Sequence, residues 1–193
     1  MDLITIVGIS CPNPFHIFIL IFRNNGQTTW TYNQGIVLSG LSKLYKSTGD
    51  PEVFKAAENL IDSVIASSLV DHSGILTENG DKSGTTNQDQ WMFKGIFFGH
   101  LGYFLADICG LNNVDVASKI QLLQKYSNFV HANAVAVWDD ARAQTGGVGA
   151  WWAAPVGSQV QKYSVETLGS GIAAVLCSVR LDQLLHSLET TTA

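Results

Sequence analysis

The sequence has 193 residues, of which 46% are hydrophobic and 14% charged, and its formal net charge is −5. This length can enclose one sizeable core, but the charged fraction lies well below the roughly 25% of an average soluble protein. The acidic balance comes without any basic cluster, which argues against nucleic-acid binding. Cys11, Cys109 and Cys177 are far apart and lack C-x-x-C spacing, so we expect no metal centre and no disulfide framework. Cys109 and Cys177 should be buried thiols.

Residues 1–23 do not match the pattern of the rest of the chain. The apolar runs Leu3–Ile9 and Phe15–Phe22 are each shorter than the ~20 residues of a membrane-spanning helix. A signal peptide also fits poorly, since Asp2 is acidic and no Lys or Arg precedes Arg23. We therefore expect no membrane span here. These residues are interpreted as a segment outside the fold, of the kind that a misplaced gene start would produce.

From Asn33 onward the apolar spacing predicts five helices and no strands. The first should end at Gly49, after which Asp50 and Pro51 have the residue types of an N-cap and a first helical position. The third is apolar nearly all round, as expected of an inner helix, whereas the second and fourth are amphipathic. The predicted helices cover about 33–47, 50–69, 90–108, 114–137 and 163–188. This order of inner and outer helices predicts an all-α fold of helical hairpins.

Two of these helices carry side-chain patterns that predict their orientation. The fourth should turn four polar residues to solvent: Lys119, Gln124, Lys125 and Asn128. The fifth should pack small residues on one side: Gly169, Gly171, Ala173 and Ala174.

One motif occurs twice, each time before an inner helix. Trp30-Thr31-Tyr32-Asn33-Gln34-Gly35-Ile36 is followed about 60 residues later by Trp91-Met92-Phe93-Lys94-Gly95-Ile96. In both, a Trp precedes an aromatic residue by two positions, and Gly-Ile follows. Repetition of this kind indicates stacked helical units. The two copies should therefore lie at the same end of neighbouring helices, where a shared groove would form.

Several separate stretches resemble glycoside hydrolase family 76, the fungal and bacterial α-1,6-mannanases. The resemblance covers about residues 24–188, which leaves 189–193 as a tail. It is carried, in chain order, by Trp30–Gly35, Leu44–Asp50, Gly74–Leu76, Phe93–Phe97 and, less sharply, Trp151–Pro155. The family fold is an (α/α)6 toroid. With three inner helices, the chain corresponds to about half of it, the C-terminal half.

The resemblance implies a mannanase function for which the chain holds sugar-binding residues but not the catalytic aspartates. Family members use two adjacent aspartates upstream of the W-T-Y-N-Q-G motif, but only Asp2 precedes Trp30. We therefore expect no catalytic residue, cofactor or metal. The chain should contribute groove residues that bind mannan or manno-oligosaccharide and should be inactive alone. The family also implies an extracellular or fungal cell-wall location.

The expected sugar-binding residues are Trp30, Tyr32, Asn33, Gln34 and Lys94. Aromatic faces stack on the C–H faces of pyranose rings, and amide side chains both donate to and accept from hydroxyls. Trp30 and Tyr32 could instead be packing residues at a helix entrance. Lys94, within an apolar run, needs a partner. A sugar contact and a structural ion pair are equally open for it.

Asp139-Asp140 is an adjacent aspartate pair, but it follows the fourth helix instead of preceding the W-T-Y-N-Q-G motif. Retaining glycosidases need two carboxyl groups about 5–5.5 Å apart, which neighbouring aspartates on a loop can provide. However, the family has no catalytic group at this point, so we interpret the pair as a solvated helix terminus.

Other features stay open. Trp151 and Trp152 could form a sugar platform or a loop plug, and Gln88, Asp89 and Gln90 could line the same groove. Two alternatives to a partial hydrolase are a non-catalytic carbohydrate-binding or wall-associated protein and a truncated product that does not fold stably. The sequence does not determine the oligomeric state.

Overall fold

A computed structural model describes residues 28–155 and 157–192, so the predictions for residues 1–23 lie outside the described residues. The described part contains five α-helices: α1 Thr31–Thr48, α2 Pro51–Ile65, α3 Phe93–Cys109, α4 Val116–Val135 and α5 Val165–Thr192. No strand forms in these ranges, only isolated bridges such as Val70 with Leu76. The all-α prediction is confirmed.

The first hairpin forms as its turn residues predict. Gly49 ends α1 with φ of 65°, the left-handed conformation that glycine adopts without steric cost. The Asp50 side chain then accepts a hydrogen bond of 2.9 Å from the Glu52 backbone N–H, and Pro51 opens α2. This short connection makes α1 and α2 antiparallel neighbours.

Several predicted helix limits shift in the structure. Helix α2 ends at Ile65 rather than at about Leu69, and irregular turns border α3 and α4. A 3₁₀ turn, Gln90–Met92, precedes α3, which begins at Phe93. A π-helical turn, Ala136–Asp140, follows α4. Both irregular turns lie at the same end of the molecule as the predicted groove.

The helices form two layers, with α1, α3 and α5 as a neighbouring inner row and α2 and α4 outside. The middle helix α3 supplies the centre of the core with side chains at most 1% exposed: Phe97, Phe98, Leu101, Phe104, Leu105 and Ile108. The predicted order of inner and outer helices is confirmed.

The orientation of α4 is predicted correctly except at Lys119. Gln124, Lys125 and Asn128 are exposed, and Lys125 bonds to Glu58 at 3.0 Å and Asp62 at 2.9 Å on α2. Lys119 is buried. A lysine side chain can bury its aliphatic stem against apolar neighbours in this way. Burial raises the pKa of the nearby Cys109 thiol to about 11, and the charge of Lys119 opposes this shift.

The small residues of α5 do not share one side as predicted. Gly171 and Ala174 are buried, whereas Gly169 is exposed and a Cβ atom added there would meet nothing within 4 Å. At 100° per residue, positions 169 and 171 point to nearly opposite sides of a helix. The predicted buried thiols are confirmed, because Cys109 and Cys177 are both free and buried.

Helix α5 is also the one helix in the described ranges whose length and composition would suit a membrane span, over Val165–Thr190. Inner helices of soluble proteins meet the same criterion. Here α5 packs against both α3 and α4.

Candidate functional site

The first turns of α1 and α3 lie side by side and bring aromatic residues together. The rings of Trp30 and Phe93 are 5.5 Å apart edge to face, and those of Tyr32 and Phe93 are 4.2 Å apart. All three residues are half-buried. We call Trp30, Tyr32 and Phe93 the rim cluster. It combines the first copy of the repeated motif with the second, as the repeat predicts.

The two predicted amides differ in their surroundings. Asn33 is half-buried beside the rim cluster, whereas Gln34 is buried. The Gln34 Oε1 atom has no hydrogen-bond partner among the described residues. A buried acceptor without a partner is costly. Gln34 is therefore a polar group that still requires a donor.

Lys94 forms a buried ion pair. Its side chain is 1% exposed, and its ammonium group pairs with Asp81 and donates a 2.7 Å hydrogen bond to the Ala150 carbonyl. The same group lies 5.2 Å from the centre of the Trp152 ring. Lys94 thus links α3 to two loops, residues 66–89 and 141–164. The geometry shows the ion-pair alternative, and a direct sugar contact by Lys94 stays a prediction.

Trp152 occupies the interior beneath this ion pair. It is 0% exposed and packs against Phe98 with ring centres 5.8 Å apart, while Phe98 stacks on Phe129 at 5.6 Å. We call Trp152, Phe98 and Phe129 the plug cluster. Of the two alternatives for this tryptophan, the loop plug matches its position. Trp151 beside it is half-buried.

Glu78 is a site residue that sequence reasoning missed. Its carboxylate accepts hydrogen bonds from the Thr31 backbone N–H, at 3.2 Å, and from the Thr31 hydroxyl. Glu78 is 3% exposed, and its second oxygen, Oε2, has no partner among the described residues. Burial raises the pKa of Glu78 to about 7, although Lys94 and the Thr31 hydrogen bonds oppose this shift. A buried carboxyl with one unpaired oxygen therefore lies against Thr31, the residue between Trp30 and Tyr32 in the chain.

Asp81 connects Glu78 to Lys94. Its Oδ2 accepts a 2.9 Å hydrogen bond from the Glu78 backbone N–H and also pairs with Lys94. Beside Glu78 lies an open cavity of about 570 Å³. Its lining is mostly polar and includes Thr28, Thr29 and Lys82. The first turn of α1 thus has polar groups beneath it as well as aromatic rings around it.

The remaining candidates lie around this end of the molecule. Gln90 and Asn87 exchange hydrogen bonds of 2.9 and 3.1 Å, and Gln88 reaches Glu166 at the start of α5 at 3.0 Å. Asp139 and Asp140 are exposed on the π-helical turn after α4, an outer helix. Among the described residues, no group of His, Cys, Asp or Glu side chains is arranged to hold a metal ion.

The fold and the rim cluster together define an all-α protein of helical hairpins whose inner helices α1 and α3 meet in an aromatic cluster. The sequence model of glycosyl hydrolase family 76 matches residues 22–179, most of the chain. The chain belongs to this family. No curated protein sequence matches it.

Solved structures show the same fold at low sequence identity. The GH76A α-1,6-mannanase from Salegentibacter sp. HEL1_6 superposes with a TM-score of 0.61 and 19% identity over 79% of this chain and 40% of its own. An inactive variant of that enzyme in complex with α-1,6-mannotetrose gives a TM-score of 0.61 and 18% identity, covering 82% of this chain and 43% of that one. The Lin0763 protein from Listeria innocua gives a TM-score of 0.58 at 18% identity, covering 80% and 38%. The chain thus spans about two fifths of the length of these structures.

Proposed function

We propose that this chain provides part of a groove that binds α-1,6-linked mannan or manno-oligosaccharides. The observation that carries the proposal is the rim cluster, in which half-buried aromatic rings stand beside Asn33 at the meeting point of two inner helices. Half-buried rings can offer a face to a sugar, and the neighbouring amide can bond to its hydroxyls. The solved α-1,6-mannanase complexes support the choice of ligand.

The same proposal assigns binding without hydrolysis to this chain. Asp139 and Asp140, the adjacent aspartates in the described part, are exposed at the end of an outer helix, whereas the rim cluster lies on the inner helices α1 and α3. One oxygen of the Glu78 carboxylate already accepts a hydrogen bond from Thr31. We therefore expect this part of the fold to position sugar rather than cleave it. An extracellular or cell-wall location belongs to the same proposal.

Binding can be tested by isothermal titration calorimetry of the 193-residue chain with α-1,6-mannotetraose. We expect Trp30→Ala and Tyr32→Ala each to weaken binding up to about tenfold, since an aromatic contact contributes roughly 0.5–1.5 kcal/mol. Trp138→Ala is the matched control, because Trp138 is exposed and lies beyond α4, where its ring stacks under Arg142. No binding by the unmodified chain, or equal losses in all three variants, would contradict the proposal.

Hydrolysis is tested separately by measuring reducing ends released from α-1,6-mannan. We expect none above a heat-inactivated sample. Release that disappears in Asp139→Asn or Asp140→Asn would show instead that this exposed pair is catalytic.

A further inference from the structure

Helix α1 begins without a capping side chain of its own. Trp30 stands at its N-cap position with φ of −120° and ψ of 144°, and its side chain makes no capping hydrogen bond. The first backbone N–H groups of a helix need acceptors, which Ser, Thr, Asp or Asn at the N-cap usually provides. An indole ring is a donor only. The start of α1 is therefore capped by a group from elsewhere in the chain.

Glu78, 47 residues beyond Thr31, supplies this cap. Its Oε1 atom accepts hydrogen bonds from the Thr31 backbone N–H, at 3.2 Å, and from the Thr31 hydroxyl. Thr31 is the first residue of α1 and is 0% exposed, while Glu78 is 3% exposed. A carboxyl group also suits the positive end of the helix dipole. The cap is thus made by tertiary folding and not by neighbouring sequence.

The loop that carries Glu78 holds this carboxyl in place. The Thr77 backbone N–H donates a 2.7 Å hydrogen bond to the Leu69 carbonyl, beyond the end of α2. The Glu78 backbone N–H donates to Asp81 Oδ2 at 2.9 Å, and Asp81 in turn pairs with Lys94 of α3. The capping carboxyl is therefore anchored to both α2 and α3.

This buried chain of polar groups reaches both parts of the rim cluster. Thr31 lies between Trp30 and Tyr32 in the sequence, and Lys94 directly follows Phe93. The rings of Trp30 and Tyr32 both contact the Phe93 ring. A shift of the first turn of α1 away from the loop would therefore move two rings of the cluster against the third.

The second oxygen of Glu78 makes the cap sensitive to protonation. Its Oε2 atom is buried and has no hydrogen-bond partner among the described residues. The charged groups around it are Lys94 on α3 and Asp81 and Lys82 on its own loop, and the first turn of α1 carries no charge. Burial outweighs the attraction of Lys94 and raises the pKa of Glu78 to about 7. Once ionised, this carboxyl gains free energy by leaving its buried position for water.

We propose that Glu78 is the positioning residue of the rim cluster: it caps α1 and holds Trp30 and Tyr32 against Phe93 when protonated, and it releases them when it ionises. The consequence for a sugar rests on the proposed function, whereas the cap and its release belong to the chain itself. Sugar binding should be strongest in acid and weaken as the pH rises. By linkage, the preference for the capped state falls by up to about tenfold for each pH unit between the ordinary pKa of 4.5 and the folded pKa of about 7.

The first measurement follows the cap without any sugar. The full chain is labelled with 5-fluorotryptophan, and the ¹⁹F resonance of Trp30 is assigned from Trp30→Phe. Its shift between H₂O and D₂O, which reports exposure of the ring to water, should grow from pH 5 to pH 8. Glu78→Gln keeps an acceptor for Thr31 but cannot ionise, so its Trp30 solvent shift should stay constant. Trp152, which is 0% exposed, is the internal control and should stay shielded throughout.

The second measurement is calorimetric titration with α-1,6-mannotetraose at pH 5 and pH 8. We expect the Kd of the unmodified chain to rise by about tenfold, and that of Glu78→Gln to change by less than about twofold. Glu52→Gln, at an exposed position in the first turn of α2, is the matched control and should keep the rise.

The two measurements separate this inference from the proposed function. If the Trp30 solvent shift grows in the unmodified chain but not in Glu78→Gln, and no sugar binds at either pH, the positioning role stands and the proposed function fails. A Trp30 solvent shift that is constant with pH, or that grows equally in Glu78→Gln, overturns the positioning role whether or not sugar binds. Equal rises in Kd for these two proteins also overturn it, since another group then controls the rim cluster. Growth of the Trp152 solvent shift together with that of Trp30 overturns it as well, because it shows general unfolding.

Discussion

Two aromatic clusters lie at the same end of this molecule, and they differ in burial. In the rim cluster, Trp30 and Tyr32 are half-buried around Phe93. In the plug cluster, Trp152 is completely buried against Phe98, and the Lys94 ammonium group lies beside its ring. The plug holds the loops in place, and the rim is left able to contact a ligand. The comparison therefore separates residues expected to control stability from residues expected to control binding.

The largest effect is expected from removing the centre of the plug. Trp152→Ala should lower the free energy of unfolding by about 3–5 kcal/mol, the usual cost of truncating a buried aromatic side chain. Urea unfolding followed by circular dichroism measures this. A loss below about 1 kcal/mol would mean that the loop around residues 150–154 does not pack as described.

A comparable loss is expected from Lys94→Met, which leaves Asp81 buried without its cation. Breaking a buried pair by removing one partner costs about 3–5 kcal/mol. The double variant Lys94→Met with Asp81→Leu should recover part of that loss, because the buried Asp81 charge is removed. The recovery stays incomplete, since the Glu78 backbone N–H loses its acceptor and Glu78 loses the nearby positive charge of Lys94. Lys43→Met is the control, since the Lys43–Asp107 pair lies at the surface and should be worth at most about 1 kcal/mol. Equal losses in the two single lysine variants would contradict the buried pair.

Glu78, which bonds to Thr31 at the start of α1, should make stability depend on pH. Its pKa is about 7 in the folded chain against an ordinary value of 4.5, so the folded state holds the proton more tightly than the unfolded state. The stabilisation from this group is complete below about pH 4.5 and is lost as the pH rises through about 7. The loss should be on the order of 3 kcal/mol.

The measurement is the free energy of unfolding between pH 4.5 and 8 for the unmodified chain and for Glu78→Gln. The glutamine can still accept from Thr31 but does not ionise, so this part of the pH dependence should disappear. Glu52→Gln, at an exposed position in the first turn of α2, should retain it. Identical profiles for all three proteins would show that Glu78 titrates normally.

The sequence predicts features that depend on neighbouring residues, but not those that depend on how a loop folds back. The hairpin turn at Gly49-Asp50-Pro51 and the repeated Trp-aromatic-Gly-Ile motif are local signals, and both led to the observed structure. Glu78 and Asp81 lie in a polar loop whose composition gives no sign of burial. Their burial arises because the loop folds back between Thr31 and Lys94.

A signal for the carboxylates was nevertheless present. Lys94 within an apolar helix requires a buried anion, and the loop before it contains the short apolar run Ile75-Leu76 just ahead of Glu78. The choice between Glu78, Asp81 and Asp89 as its partner could not be made from the sequence, because it depends on the three-dimensional path of the loop. Trp151 and Trp152 were ambiguous for the same reason.

The smallest effect on stability is expected from Trp30→Ala, and it distinguishes the two clusters most directly. Trp30 is half-buried and makes one edge-to-face contact, with Phe93, so its removal should cost only about 1 kcal/mol. Its effect on mannotetraose binding should nevertheless exceed that of any other tryptophan variant that remains folded. Urea unfolding and calorimetric titration of the same preparation measure both quantities. If Trp30→Ala unfolds as readily as Trp152→Ala, Trp30 is a packing residue of the helix entrance, and the rim cluster belongs to the core rather than to a groove.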